Sequence, residues 1–204
     1  IIKISIILSL AKYYHSIKFH NISSIRHLFV PILIILAPFF LVVIQPDLVT
    51  SVSILILGVM IMFISGVRIW KFILGAVISL GSFPFLWGSI KPYQQKRILS
   101  FLNPESDPLG QGYQLIQSKI ALGSGGLMGK GFLEGTQSYL EYLPEKQTDF
   151  IFTLIGEEFG FLGSSILLML YFVMLFRIIR IGQRSKSYFA KFYCFGFASA
   201  LFIY

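Results

Sequence analysis

Four runs in this chain, Leu28–Ile44, Leu48–Ser65, Phe72–Ile90 and Phe159–Phe176, hold no Asp, Glu, Lys or Arg and are each close to membrane-spanning length. A helix needs about 20 mostly apolar residues to cross the hydrocarbon core of a bilayer. Two further runs, Ile1–Ala11 and Phe192–Tyr204, read as spans cut short by the chain ends. Only 13% of residues are charged and 55% are apolar. Soluble domains carry roughly 25% charged residues, and disordered chains need high charge with low hydrophobicity; both classes are excluded. The pattern predicts an all-α, polytopic membrane protein with four complete and two truncated spans. The chain opens Ile1-Ile2 without an initiator Met and stops inside an apolar run, which reads as an internal portion of a larger membrane protein. No segment has the basic start and small-residue cleavage site of a signal peptide, and no repeat of fixed period is visible.

The formal charge of +8 would suggest nucleic acid on a polar surface; on a chain this apolar it sets orientation instead. Alternating spans put segments 12–27, 66–71 and 177–191 on one side. These carry Lys12, Lys18, Arg26, Arg68, Lys71, Arg177, Arg180, Arg184, Lys186 and Lys191, and no acid. The other side receives Asp47 and residues 91–158, where Lys91, Lys96, Arg97, Lys119, Lys130 and Lys146 face all 9 acids of the chain. The positive-inside bias predicts that the basic segments are cytoplasmic and that 91–158 is extracytoplasmic. The chain thus divides into membrane helices over 1–90, an outer loop over 91–158, and membrane helices over 159–204. The single cysteine, Cys194, leaves no disulfide framework and no multi-cysteine metal site.

A loop this long between spans is uncommon unless it has a function. Its opening, Lys91–Leu102, mixes aromatic and aliphatic residues with cations, which suits an interfacial helix as well as a continuation of the preceding span. Asn103–Gly110 is dense in turn formers; its Glu105 and Asp107 suit turn chemistry or a divalent cation. Gln111–Ala121 predicts a short helix carrying Gln114, Gln117, Ser118 and Lys119. Gly123–Gly131 is not a phosphate loop of the Walker type. Ser124 stands where that pattern needs Gly, Gly131 follows Lys130 where it needs Ser or Thr, and no strand precedes. Two readings of this stretch remain: an anion cradle built from glycine amides, Gly125 and Gly126 among them, with Lys130, or a flexible turn.

Asp149 lies directly against an apolar run that starts at Phe150, with Thr148 beside it as a candidate N-cap. A carboxylate there caps a helix start or serves as a partly desolvated general base. Glu157 and Glu158, at the membrane edge, cost free energy unless paired or wetted, so at least one is expected to face a cavity. Gly156, Gly160 and Gly163 are spaced for close helix packing in lipid. Lys3, inside an apolar run, is a functional candidate by the same cost argument or snorkels to the surface. Asp47, in Gln45-Pro-Asp-Leu48, marks a short outer turn.

These stretches in this order resemble the SEDS family (shape, elongation, division and sporulation). The resemblance is carried by Lys3–Ala11, Gln45–Leu48, Asn103–Gln114, Ile116–Ala121, Gly123–Gly131, Gly135–Ser138, Leu143–Phe152 and Gly156–Glu158, and it covers most of residues 91–163. The Asn103-Pro-Glu-Ser-Asp-Pro motif is similar to the elongation branch more than to the division branch. The resemblance implies a ten-helix fold, of which this chain would hold the fourth through part of the ninth. It implies peptidoglycan glycosyltransferase activity on lipid II at the outer face of the bacterial cytoplasmic membrane. It also implies a class B penicillin-binding protein as partner within the elongation machinery, and no nucleic acid. The family's essential aspartate maps onto Asp149. Lys3, Lys119 and Lys130 become candidates for the pyrophosphate. Gln117, Ser118, Gly125, Gly126, Glu145 and Thr148 become candidates for pyrophosphate or sugar, and a divalent cation, Mg or Mn, is compatible with that chemistry. The family usually follows Gln-Pro-Asp-Leu with Gly-Thr; Val49 replaces that glycine and is expected to disturb close packing at the turn. The rival functions are a lipid II flippase, which requires polar residues on broken helices near the bilayer midplane, and a non-catalytic membrane scaffold.

Overall fold

The structure is a computed structural model that describes residues 1–17, 22, 24–45, 47–89, 91–103, 111–135 and 149–203. Among the described residues every regular element is an α-helix: α1 (Ile2–Ser16), α2 (Ile25–Ile44), α3 (Leu48–Ile64), α4 (Ile69–Ser89), α5 (Pro92–Leu102), α6 (Gln111–Ser124), α7 (Ile151–Arg184) and α8 (Tyr188–Ile203). All six apolar runs fall on helices. α5 is a helix of its own, begun at Lys91 with Pro92 in the first turn, where its missing N–H costs nothing. Two segments read as loops are helical in part. α1 continues to Ser16, and α7 carries Arg177, Arg180 and Arg184, which leaves 185–187 between α7 and α8. Arginines suit that helix end because a long side chain reaches out along its own apolar surface; Arg180 lies over the Phe176 ring at 4.6 Å.

The chain forms two compact units. The first comprises Ile1–Pro84 with Val173–Tyr204. Its core lies where α1, α3 and α8 meet. Ile7, Leu10 and Ala11 of α1 are fully buried with Ile54, Leu57 and Ile61 of α3, and Phe192 of α8 is buried in the same cluster. The helices approach closely at Gly196, where a Cβ would stand 2.8 Å from Ile7 Cγ2 and 3.1 Å from Ile61 Cδ1. Small residues at such points let helices in lipid gain dispersion contact that longer side chains would block. α2 packs on α3, and the Tyr13 hydroxyl donates to the His27 carbonyl at 3.0 Å, tying α1 to the start of α2. On α4, by contrast, Ile73, Leu74, Val77, Ile78 and Leu80 are all exposed. An apolar helix surface this bare is expensive in water and appropriate in hydrocarbon. Arg26–Ile44 and Ile151–Arg184 are each long and apolar enough to cross a membrane.

The second unit comprises Phe85–Phe172. It holds α5, α6, the glycine-rich segment that follows α6, and the first part of α7. That part of α7 has the polarity of a soluble helix turned inside out. Thr153, Gly156, Glu157, Gly160 and Ser164, at helical spacing, are buried, while Phe152, Phe159, Phe161 and Ile166 are exposed.

Candidate functional site

The central feature of the second unit is a break in α7. Gly160 adopts φ 64° and ψ −161°, a backbone conformation essentially confined to glycine. Helical hydrogen bonding cannot cross such a residue, so it orphans carbonyls before the break and amides after it. The segment following α6 supplies the missing partners. The amides of Lys130 and Gly131 donate to the carbonyls of Glu157 and Glu158 at 3.0 and 3.1 Å. The amides of Phe161 and Leu162 donate to the carbonyls of Gly126 and Leu127 at 2.8 and 3.1 Å. Backbone thus packs against backbone, which is why glycines line both sides. A Cβ at Gly125 would overlap the Gly156 carbonyl oxygen, one at Gly129 the Glu158 carbonyl oxygen, and one at Gly160 the Gly129 amide.

The same contact buries an ion pair. Lys130 Nζ sits 2.9 Å from Glu157 Oε1; the Glu157 side chain is 0% exposed and that of Lys130 26%. A fully buried carboxylate is tolerated only with such compensation. Glu158 is also buried. The expectation that one of these acids faces a cavity is not what the structure shows for Glu157: its cost is met by pairing, with a lysine 27 residues away in the chain. The amides expected to cradle an anion have other work. Those of Gly126, Gly129, Lys130 and Gly131 donate to the carbonyls of Gly123, Gly125, Glu157 and Glu158. The stretch is therefore neither a flexible turn nor an open nest: it fills the gap in a broken helix.

Asp149 stands two residues ahead of α7, in the turn whose Phe150 carbonyl accepts from the Leu154 amide at 3.1 Å. Its carboxylate is exposed. Lys119 is exposed on α6, where Gln117 and Ser118 are half-buried; the Ser118 hydroxyl donates to the Leu115 carbonyl of its own helix at 2.8 Å. Beside the break lies a hollow of about 410 Å³ whose lining includes Leu122, Gly126, Phe152, Phe161 and Ser164. The Ser164 hydroxyl is buried there without a hydrogen-bond partner among the described residues.

In the first unit, Asp47 is a helix cap. Its Oδ1 accepts from the Thr50 amide at 3.1 Å at the start of α3. Val49 next to it is 67% exposed, so a branched side chain there meets no close packing, contrary to the expectation from the Gly-Thr pattern. Lys3 lines a hollow of about 570 Å³ together with Thr50, Phe197 and Leu201. Glu145 and Thr148, like Glu105 and Asp107, lie outside the described residues. Among the described residues no three His, Cys, Asp or Glu side chains gather as a metal site would require. The helix break itself was not read from the sequence. Its signal is two glycine clusters, Gly125–Gly131 and Gly156–Gly163, flanking an acid pair on one side and a lysine on the other.

The sequence profile of the FtsW/RodA/SpoVE family, described as a cell cycle protein, matches residues 1–204. The chain is 45% identical over 183 residues to the peptidoglycan glycosyltransferase MrdB of Escherichia coli K12, an alignment covering 89% of this chain and 49% of that protein. It is 42% identical over 202 residues to the stage V sporulation protein E of Bacillus subtilis, covering 98% and 54%. It is 44% identical over 169 residues to a probable peptidoglycan glycosyltransferase FtsW of Buchnera aphidicola, covering 81% and 44%. A solved chain from a peptidoglycan synthase complex that coordinates polymerization and crosslinking superposes with a TM-score of 0.72 at 28% identity, over 97% of this chain and 54% of that one. The chain spans about half the length of the curated relatives it matches. It belongs to the FtsW/RodA/SpoVE family of polytopic membrane proteins.

Proposed function

We propose that the complete gene product is a peptidoglycan glycosyltransferase that polymerises lipid II, with Asp149 as general base. Support comes from relatives that bear that activity in their names and, above all, from the position of Asp149: an exposed carboxylate at the start of a half-helix whose far end is fixed. An acceptor sugar hydroxyl presents its proton to the Asp149 carboxylate as its oxygen bonds to the anomeric carbon of the donor. The bond from that carbon to the pyrophosphate breaks, and the undecaprenyl pyrophosphate leaves with the electron pair. A positioned base contributes typically about 10²–10⁴-fold to such a step. The leaving group needs no acid, since pyrophosphate leaves as an anion, but its charge needs compensation. Lys119, exposed on α6 in the unit that holds Asp149, is the candidate. The apolar lining of the 410 Å³ hollow suits a prenyl chain. The branch-specific motif at 103–108 favours the elongation role. Charge segregation favours the outer face of the cytoplasmic membrane for residues 91–158, where a class B penicillin-binding protein would crosslink the product.

The broken α7 favours a second reading, lipid II transport, because transporters bind cargo at discontinuous helices. In those proteins unwound carbonyls face the cargo, whereas here the carbonyls of Glu157 and Glu158 already accept from Lys130 and Gly131. Asp149→Asn in reconstituted protein supplied with labelled lipid II tests the choice. Loss of polymer with unchanged folding is the expected result. Polymer at the parent rate would remove Asp149 from the mechanism.

A further inference from the structure

Gly160 divides α7 so that Ile151–Phe159 stands as a separate half-helix. Nine residues rise about 13 Å, and a helix that short does not hold itself in place in isolation. Its direction is set by what grips its ends. Asp149 hangs from the N-terminal end. At the C-terminal end two consecutive residues of the glycine segment grip two consecutive residues of the helix. The Lys130 and Gly131 amides hold the Glu157 and Glu158 carbonyls, and the Lys130 ammonium holds the Glu157 carboxylate at 2.9 Å. Two parallel backbone bonds fix the axial position of that end. The side-chain bond, reaching off the axis, opposes rotation.

We infer that Lys130 and Glu157 are positioning residues for the Asp149 carboxylate, acting through the half-helix between them; the inference rests on Asp149 being the base. Eight residues separate Glu157 from Asp149, a lever of about 12 Å. A tilt of roughly 5° at the gripped end displaces the carboxylate by about 1 Å, and a misplacement of that size can cost about 10²-fold in rate. The assignment takes Lys130 away from the pyrophosphate, because its ammonium is occupied by a carboxylate that is 0% exposed. A lysine engaged in this way contributes orientation, and the pair acts as one unit.

The test uses the complete gene product in proteoliposomes with labelled lipid II, reading kcat and KM separately. Glu157→Gln keeps the shape of the side chain and removes its charge. Its kcat should fall about 10–100-fold while KM stays within about twofold, the signature of an interaction that matters only to the reacting geometry. Lys130→Met should do the same, and the double variant should be no slower than the slower single one, since members of a unit are not additive. Elution volume and thermal melting report folding. If Lys130→Met fails to fold, Glu157→Asp takes its place: it keeps both charges but shortens the bridge by a methylene, and it should also lower kcat at constant KM. Parent kcat in Glu157→Gln overturns the inference. So does a rise of about tenfold in KM for Lys130→Met with Glu157→Gln unaffected, which would return Lys130 to the substrate. Asp149→Asn is run alongside. If it polymerises at the parent rate, the base assignment fails whatever the pair does; if it is inactive while Glu157→Gln is normal, the positioning role alone fails.

Discussion

Gly160→Ala is the most demanding substitution for the broken helix. The residue sits at φ 64° and ψ −161°, a region that costs a non-glycine residue on the order of 1–3 kcal/mol. A Cβ there would also stand 2.7 Å from the carbonyl carbon and oxygen of Leu127, and closer still to the Gly129 amide. Those atoms are backbone and cannot rotate away as a side-chain tip can. Relieving the overlap requires the glycine segment to move off the helix. That movement stretches the bonds from the Phe161 and Leu162 amides to the Gly126 and Leu127 carbonyls, each contributing about 0.5–1.5 kcal/mol. Together the terms come to roughly 2–6 kcal/mol, about 30-fold to 10⁴-fold in the folding equilibrium. Unfolding in mixed micelles followed by circular dichroism would measure it. Two controls sharpen the reading. Gly126, at φ 55° with open space around its Cβ position, should lose only about 1 kcal/mol on changing to Ala. Gly123 has open space and no unusual φ, so Ala there should be neutral or mildly stabilising. Equal stability for Gly160→Ala and Gly123→Ala would refute the break.

Two further substitutions test other elements. Asp47→Ala removes the acceptor of the Thr50 amide and should destabilise α3 by about 0.5–2 kcal/mol, seen as a lower melting temperature. Leu133, exposed and at φ 63°, carries left-handed strain; Leu133→Gly should stabilise the protein by on the order of 1 kcal/mol in the same melt.

Legibility followed the range of the physical signal. The apolar runs were readable because a bilayer imposes a length on each helix independently of the rest of the chain. Asp47 was placed at a turn by its own neighbours and does cap α3 there. The start of α7 is legible in the Thr148-Asp149 cap signal, not in hydropathy. Glu157 and Glu158 interrupt the apolar run, so hydropathy alone starts the span at Phe159, whereas the helix begins at Ile151. Those acids sit in a helix because a lysine 27 residues away pairs with one of them, and no local window contains both. Gly160 misled for a different reason: glycine at that spacing suits close helix packing and a helix break alike, and only its φ and ψ separate the two. The base role proposed for Asp149 comes from the family resemblance, carried mainly by residues 91–163; position alone leaves capping and base catalysis both open.

The break is not something stability asks for. An unbroken α7 would satisfy its own backbone, with no need for four bonds to a distant segment, and a buried ion pair often yields nothing over an apolar pair of the same volume. An arrangement that uses glycines on both sides, a special backbone conformation and a desolvated charge pair gains one thing a straight helix lacks: an independent direction for the residues ahead of the break. Those residues are Ile151–Phe159, with Asp149 at their head. If direction is what matters, a variant that replaces Lys130 and Glu157 together by Met and Leu should fold as well as the parent and still turn over slowly. Stability and rate would then part company at a site that touches no substrate, which packing alone cannot produce.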